Sequence, residues 1–245
     1  MKKMRWVSVF LTLSGILFAQ NDNVENIMKK YKDNRVSETV NMKAVITITD
    51  KFGSTVQEFE TWSRKNGDTL IVVTAGPDQG QKILRLENSI YLYFPEAEEV
   101  MRLQGSALKD SVMGSDFSYE DLTGENGILA NYTGELLGSE TIDGRDCYHL
   151  LLTAKTKKQL YQKQELWIDK NSFVEVKSIV YSASGKPLSE SLSWDFKKIG
   201  KYTIAMQGKM TNLLKKNSTT TMAIQSVQMD IPVAESTFSR SNLSW

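Results

Sequence analysis

The sequence predicts a mainly β (α+β) protein built on one curved antiparallel sheet of about eleven strands. Alternating apolar and polar residues recur along most of the chain, which is typical of half-buried strands. Turn sequences such as Asn66-Gly67 and Asp143-Gly144 separate the runs and favour hairpins. No long helical segment joins two runs, and parallel strands require such crossovers, so we expect antiparallel pairing.

The first element is a short helix predicted over residues 24–35. Its apolar residues would lie on one side of the helix: Val24, Ile27, Met28 and Tyr31. The pattern then changes to period two, which predicts strands. Five strand-like runs follow in the first half of the chain, at residues 44–49, 55–64, 68–75, 81–87 and 89–94.

The second half of the chain repeats this rhythm. Seven further runs cover residues 132–142, 145–154, 161–169, 173–182, 188–197, 201–212 and 219–229. The four prolines lie at the edges of runs, where a missing N–H does least harm to a ladder of hydrogen bonds. We therefore expect the sheet to continue through both halves.

Residues 104–130 lose the alternation and separate the two halves. One or two short helices are predicted here, because Ser118 and Asp121 have the spacing of a helix start. An insert of this kind is either a lid over the sheet or an ordinary helical connection.

The beginning of the chain has the pattern of a secretory signal peptide. Lys2, Lys3 and Arg5 precede an apolar run over residues 6–18, which ends at Ala19. This run is shorter than the roughly 20 residues of a membrane-spanning helix, so a retained anchor is the less favoured reading. Residues 16–23 contain no cysteine that could be lipidated. We expect a signal peptide at residues 1–19 and one exported, unlipidated domain at residues 20–245.

Composition narrows the possible partners. Removal of the leader takes three of the 30 basic residues and none of the 29 acidic ones, so that the net charge becomes 27 − 29 = −2. No basic surplus remains to neutralise a nucleic-acid backbone or to hold the protein on anionic lipid. We therefore expect no nucleic-acid partner and only transient membrane contact.

Residues with catalytic potential are few. His149 is the only histidine and Cys147 the only cysteine, so a catalytic triad, a histidine metal site or a Cys/His dyad would have to use them. Both lie in one strand-like run, where neighbours on the same face are common. The standard catalytic and phosphate-binding motifs are absent, and no intramolecular disulfide can form. Pairs of neighbouring carboxylates are interpreted as charged surface, for example Glu96, Glu98 and Glu99, or Glu120 and Asp121. We predict no enzyme, no cofactor and no metal.

The inner face of the sheet needs a cover, and the sequence offers little for it. The N-terminal helix and the insert supply about 35 residues, which is thin against so many strands. Either the sheet packs on itself as a sandwich, or a cavity remains that accepts an apolar ligand. The alternation of apolar and polar residues does not distinguish between these two arrangements.

Several segments resemble the outer-membrane lipoprotein-sorting protein family related to LolA. They are Leu92-Tyr93-Phe94-Pro95, Val100-Met101-Arg102-Leu103, the run from Met113 to Leu122, Gly144 to Leu150, Leu166 to Asp169 and Ile231 to Phe238. The most specific is Gly114-Ser115-Asp116-Phe117-Ser118-Tyr119-Glu120-Asp121. The resemblance implies a half-open β-barrel whose mouth is plugged by helices, an apolar interior for acyl chains and a periplasmic location.

On this basis we expect a periplasmic carrier or binder of lipid acyl chains that takes part in lipoprotein or lipid sorting to the outer membrane. An inner-membrane transporter and an outer-membrane acceptor are its expected partners. The alternative is a non-enzymatic envelope lipid sensor that signals through a protein partner. Arg102 is a candidate for closing the lid, although a surface position is the simpler interpretation. The predicted acyl cavity is lined by Ile46, Ile48, Leu70, Val72, Leu84, Leu92, Phe94, Val112, Met113, Phe117 and Leu122.

Overall fold

A computed structural model describes residues 23–123, 128–157, 159–215 and 217–243. The predicted signal peptide lies outside these residues, so its assignment stays a prediction. Among the described helices, none has the length and apolar character needed to cross a membrane.

Thirteen strands form one antiparallel sheet that does not close on itself. They are β1 (Thr39–Asp50), β2 (Gly53–Arg64), β3 (Thr69–Ala75), β4 (Lys82–Leu86), β5 (Ser89–Phe94), β6 (Glu99–Leu103), β7 (Tyr132–Ile142), β8 (Arg145–Ala154), β9 (Lys163–Asp169), β10 (Glu175–Tyr181), β11 (Pro187–Ile199), β12 (Tyr202–Asn212) and β13 (Thr219–Met229). Their spatial order is β6-β5-β4-β3-β2-β1-β13-β12-β11-β10-β9-β8-β7. Every pair but one therefore joins strands that follow each other in the chain, the exception being β1 with β13.

Each of the twelve predicted runs is a strand, and the mainly β, antiparallel architecture is confirmed. The predicted number of about eleven is too low, and the strand without a predicted run is β6. Four of its five residues are exposed, so it lacks the alternation that marks a half-buried strand. Its hydrogen bonds to β5 are what define it.

Helix α1 spans Val24–Arg35, as predicted. The side chain of Asn23 caps it by accepting a hydrogen bond from the N–H of Glu25 at 3.0 Å. Ile27, Met28 and Tyr31 are buried against the sheet. Its apolar side covers part of β8 and β9, where it meets Leu150, Leu152, Leu166 and Ile168.

The insert between β6 and β7 contains a 3₁₀ helix (Gly105–Lys109) and the short helices α2 (Tyr119–Thr123) and α3 (Ile128–Asn131). The predicted helix start at Ser118 is confirmed. The hydroxyl of Ser118 accepts from the N–H of Asp121, and the Asp121 carboxylate accepts from the N–H of Ser118, at 3.1 and 2.8 Å. This reciprocal cap fixes α2 at the turn where the insert crosses the sheet.

The two faces of the first half of the sheet are covered differently. The inner face, which we define as the one that carries the insert, forms the largest cluster of buried apolar residues. On the outer face, a C-terminal segment with 3₁₀ helices at Glu235–Phe238 and Arg240–Asn242 brings Leu243 onto Leu70 and Leu84. The first half is therefore packed on both sides.

Candidate ligand-binding site

The insert is bonded to the first half of the sheet by buried polar groups. The guanidinium of Arg85, on β4, donates to the Glu120 carboxylate at 3.0 Å and to the Thr123 hydroxyl at 3.2 Å. The Gln57 amide of β2 donates to the backbone carbonyl of Met113 at 3.4 Å. Because the Arg85 side chain is only 4% exposed, these bonds are shielded from water, and they hold the insert firmly on this side.

A second set of bonds joins the insert to the other half of the sheet. The N–H of Asp116 donates to the Thr220 hydroxyl at 2.9 Å, and the Ser218 hydroxyl donates to the Asp116 carboxylate at 2.5 Å. Farther along, the Tyr161 hydroxyl, in the loop between β8 and β9, donates to Asp121 at 2.8 Å. The insert, which we call the strap, is thus hydrogen-bonded to both halves of the sheet.

The carboxylate of Asp121 is the most unusual charged group of this strap. Burial raises its pKa above the ordinary value, against hydrogen bonds from Ser118 and Tyr161 that lower it, and the nearby Glu120 raises it further. Burial and the neighbouring Asp121 raise the pKa of Tyr161 as well, so the phenol keeps its proton and remains the donor.

Two cavities, both partly open to solvent, lie between the insert and the second half of the sheet. The smaller, of about 430 Å³, lies among α1, the insert and β9 to β12. The larger, of about 900 Å³, is bounded by the insert and by the loops that follow β8, β10 and β12. Phe117, Asp121 and Tyr161 line both, so the Tyr161–Asp121 bond stands at their boundary. Both volumes fall within the ~300–1,000 Å³ that is usual for ligand sites.

Small side chains on the inner face explain the empty space. Ser178 of β10 pairs with Ser191 of β11, which in turn pairs with Met210 of β12, and all three line the smaller cavity. Val180 pairs with Ser189 beside them. Serines thus stand where the first half has isoleucine and phenylalanine, and they do not reach the insert. Apolar side chains in the cavity walls include Leu108, Phe117, Leu160, Leu166, Val180, Leu188, Met210 and Leu214.

The eleven residues predicted to line a cavity fall into two groups. One group packs with the insert in the inner-face cluster: Ile46, Ile48, Leu92, Phe94, Val112, Met113, Phe117 and Leu122. Leu70, Val72 and Leu84 lie on the outer face, with Leu243. Of all eleven, only Phe117 lines the cavities described above. That any of them contacts an acyl chain stays a prediction.

Arg85 was missed by sequence reasoning, which singled out Arg102 instead. Arg102 donates to the hydroxyl of Ser89 at 2.8 Å and lies over the Tyr91 ring, on the edge hairpin of β5 and β6. It makes no described contact with α2. A signal for Arg85 was present, because an arginine within the apolar run Ile83-Leu84-Arg85-Leu86 requires a buried partner.

His149 and Cys147 do not form a dyad. The His149 ring stacks on Trp167 at 4.3 Å and shares a hydrogen bond of 2.9 Å with Glu165. Cys147 is fully buried, and burial raises the pKa of its thiol to about 11, so the thiolate is scarce at neutral pH. Within the described part of the chain, no group of three or more His, Cys, Asp or Glu side chains is arranged to hold a metal ion.

Replacing Tyr161 by phenylalanine is expected to loosen the strap without unfolding the sheet. The change removes one hydrogen bond to a charged group, a loss of about 1.5–3 kcal/mol at most. Amide hydrogen exchange at Leu160 and in α2 should accelerate. Tyr181→Phe is the matched control, because it removes a 2.8 Å tyrosine–carboxylate bond to Glu165. Equal exchange of α2 in both variants would contradict the role of Tyr161.

Known structures and one family model resemble this chain. A family model with the description "Uncharacterized protein" matches residues 65–245. A DUF1329 family protein from Desulfovibrio piger is 24% identical, with a TM-score of 0.82 over 89% of this chain and 96% of that one. A putative outer membrane lipoprotein-sorting protein domain from Vibrio parahaemolyticus is 21% identical, with a TM-score of 0.80 over 89% and 97%.

A LolA superfamily protein from Nitrosomonas europaea is also 21% identical, with a TM-score of 0.75 over 89% of this chain and 98% of that one. No curated protein matches the sequence. The resemblance noted in the sequence is thus confirmed at the level of the fold. The chain belongs to the family whose model spans residues 65–245, and it has the fold of the LolA superfamily and of outer membrane lipoprotein-sorting protein domains.

Proposed function

We propose that this protein is a periplasmic carrier or binder of lipid acyl chains, without enzymatic activity, that takes part in lipoprotein or lipid sorting to the outer membrane. The observation that carries the proposal is the pair of cavities beside the strap, where part of the inner face is left unfilled. The likeness in fold to a lipoprotein-sorting domain and a LolA superfamily protein supports it. The ligand-binding unit would be a single domain over residues 20–245, exported by the leader at residues 1–19.

The energetics of hydrocarbon favour transfer by direct contact. Burial of an acyl chain gains about 0.8 kcal/mol per methylene relative to water, so about 16 carbons gain on the order of 12 kcal/mol. Escape into water is therefore very slow, whereas exchange with a membrane or an apolar partner costs little. An inner-membrane transporter would load such a carrier and an outer-membrane acceptor would unload it.

The mixed lining of the cavities favours an amphiphile over a pure hydrocarbon. Leu160, Leu166 and Met210 offer apolar contact, while Ser178 and Ser191 offer hydroxyls on the facing strands. A ligand with ester or hydroxyl groups next to its chains can use both kinds of contact. Lipid-modified amino termini and glycerolipids have this chemistry.

Replacing Leu160 with glutamate tests the proposal, because this half-buried leucine lines both cavities. A charge at this position cannot be buried against hydrocarbon without a large penalty. Lipid that co-purifies with the wild-type protein from the cell envelope, measured by native mass spectrometry, should be lost in this variant. Leu137→Glu is the matched control, since Leu137 is 47% exposed on β7 and lines neither cavity.

A wild-type protein that carries no lipid after gentle purification would contradict the proposal. So would a folded Leu160→Glu variant with unchanged lipid content. Circular dichroism of both glutamate variants verifies that the sheet is intact, and it separates a lost ligand from a lost fold.

A further inference from the structure

Exposed apolar side chains are concentrated at one end of the sheet. Among the described residues, eight large hydrophobic side chains are exposed, and four of them lie on the β1–β2 hairpin or in the loop that follows β12. These four are Phe52, Val56, Leu213 and Leu214. Phe52 is 84% exposed and Leu214 is 53% exposed, although leucine and phenylalanine are usually inside a protein.

The turn between β1 and β2, which carries Phe52, and the loop between β12 and β13, which carries Leu213 and Leu214, are called the two tips. The strand register makes them neighbours. Thr49, three residues before Phe52, pairs with Thr219, which also pairs with Thr211 just before the second tip. Adjacent strands lie about 4.8 Å apart. Phe52 and the Leu213-Leu214 pair therefore project from the same end of the sheet, across β1, β13 and β12.

Local hydrogen bonds hold both tips in shape. The Asp50 carboxylate accepts from the N–H of Phe52 at 2.7 Å. In the other tip, the side-chain oxygen of Asn212 accepts from the N–H groups of Leu214 and Lys215, at 2.9 and 3.1 Å. Side-chain bonds of this kind preorganise a turn, so the exposure of the apolar residues is built into these loops.

Positive charge accompanies the apolar tips. Lys51 lies beside Phe52, with its ammonium nitrogen 4.7 Å from the centre of the ring, and Lys215 follows Leu214. The nearby carboxylate of Asp116 already accepts from Ser218 and Thr220. Although the chain has no basic surplus overall, this end presents apolar and cationic groups together.

The same end of the sheet borders the larger cavity. Asn212, Leu214 and Lys215 line that cavity, and so does Lys157 in the loop after β8. A surface that rests on the two tips would therefore lie next to this cavity.

We propose that the two tips form a docking surface for the interfacial region of an anionic lipid bilayer. Phe52, Leu213 and Leu214 enter the boundary between headgroups and acyl chains, and Lys51 and Lys215 contact lipid phosphates. The inference rests on the exposed tips and does not depend on what the cavities bind. It gives the expected transient membrane contact a definite place on the molecule.

Sedimentation with lipid vesicles tests this surface, with protein purified from cells that export it. The wild-type protein should bind vesicles of phosphatidylethanolamine and phosphatidylglycerol. The double variant F52S/L213S should lower the partition coefficient by at least about tenfold, since it removes two large apolar side chains from the contact without changing a residue that lines either cavity. The variant K51Q/K215Q should weaken binding to these vesicles and leave binding to phosphatidylcholine vesicles unchanged.

The control V100S/M101S removes two exposed apolar side chains from the edge strand β6, where they are 48% and 53% exposed. It should bind vesicles as the wild-type protein does. Equal loss in the control and in F52S/L213S would overturn the proposal, and so would a wild-type protein that stays in the supernatant. In a Phe52→Trp variant, lipids brominated near the headgroup should quench the added fluorescence. Absence of that quenching also overturns it.

Discussion

Replacing Ile46 with alanine is expected to lower the free energy of unfolding by about 2–5 kcal/mol. Ile46 lies on the inner face of β1, is fully buried and packs in the cluster that joins the sheet to the insert. Truncation there leaves a void that tightly bonded neighbours cannot fill. Chemical denaturation of the wild-type and variant proteins measures the difference.

Val180→Ala is the contrasting change, because Val180 lines the smaller cavity and already has empty space beside it. We expect it to cost about 1 kcal/mol or less. If both variants lose the same stability, the distinction between a filled and a hollow half of the inner face is wrong. The comparison therefore tests the site that supports the proposed function.

Replacing Asp169 with alanine is expected to lower the free energy of unfolding at neutral pH by about 1.5–3 kcal/mol, because bonds to a charged group are lost. The carboxylate accepts from the N–H of Asn171 at 3.1 Å and from the N–H and hydroxyl of Ser172 at 2.7 and 2.6 Å. The guanidinium of Arg145 donates to it at 3.3 Å. These bonds close the turn between β9 and β10.

The same carboxylate predicts how stability depends on pH. Burial raises the pKa of Asp169, but the bonds from Ser172 and the charge of Arg145 outweigh it, and the pKa in the folded protein is lowered. A lowered pKa means stabilisation that is complete above the unfolded value of about 3.9 and is lost as the pH falls through the folded value.

Denaturation at a series of pH values checks this dependence. The stability difference between wild type and Asp169→Ala should be constant at neutral pH and shrink in acid. Asp33→Ala provides the control, since Asp33 is an exposed helix residue paired with Lys29. A difference that stays constant down to the lowest pH would argue against an ionised Asp169 as the source.

The strands could be predicted because alternation, turns and proline positions all pointed to the same sheet. The exception, β6, has no buried face, so its sequence carries no alternation, and only its pairing with β5 defines it. The helix at Val24–Arg35 was equally clear from its apolar side. Local sequence thus predicts elements that bury one face, and it does not predict those held by hydrogen bonds alone.

The candidate site was less predictable, because it depends on side chains that are too small to fill space. Apolar residues such as Ile46 and Leu92 were natural candidates to line an apolar cavity. In the structure they pack against the insert instead. The cavities lie where Ser178, Ser189 and Ser191 face the insert. A strand face occupied by serines was a signal in the sequence, but its meaning required knowledge of the register and of what lies opposite.

The pairing of β1 with β13 has a consequence for how the molecule folds. The pairing of Val40 with Met229 joins residues 189 positions apart, whereas every other pairing in the sheet joins strands that are consecutive in the chain. Each hairpin can form as soon as its two strands have been synthesised. The pairing of β1 with β13, at the middle of the sheet, must wait until β13 is available. Until these two strands pair, β1 and β13 each present one unpaired edge to other chains. We therefore expect the pairing of β1 with β13 to limit the rate of folding and to be the step most exposed to misassembly.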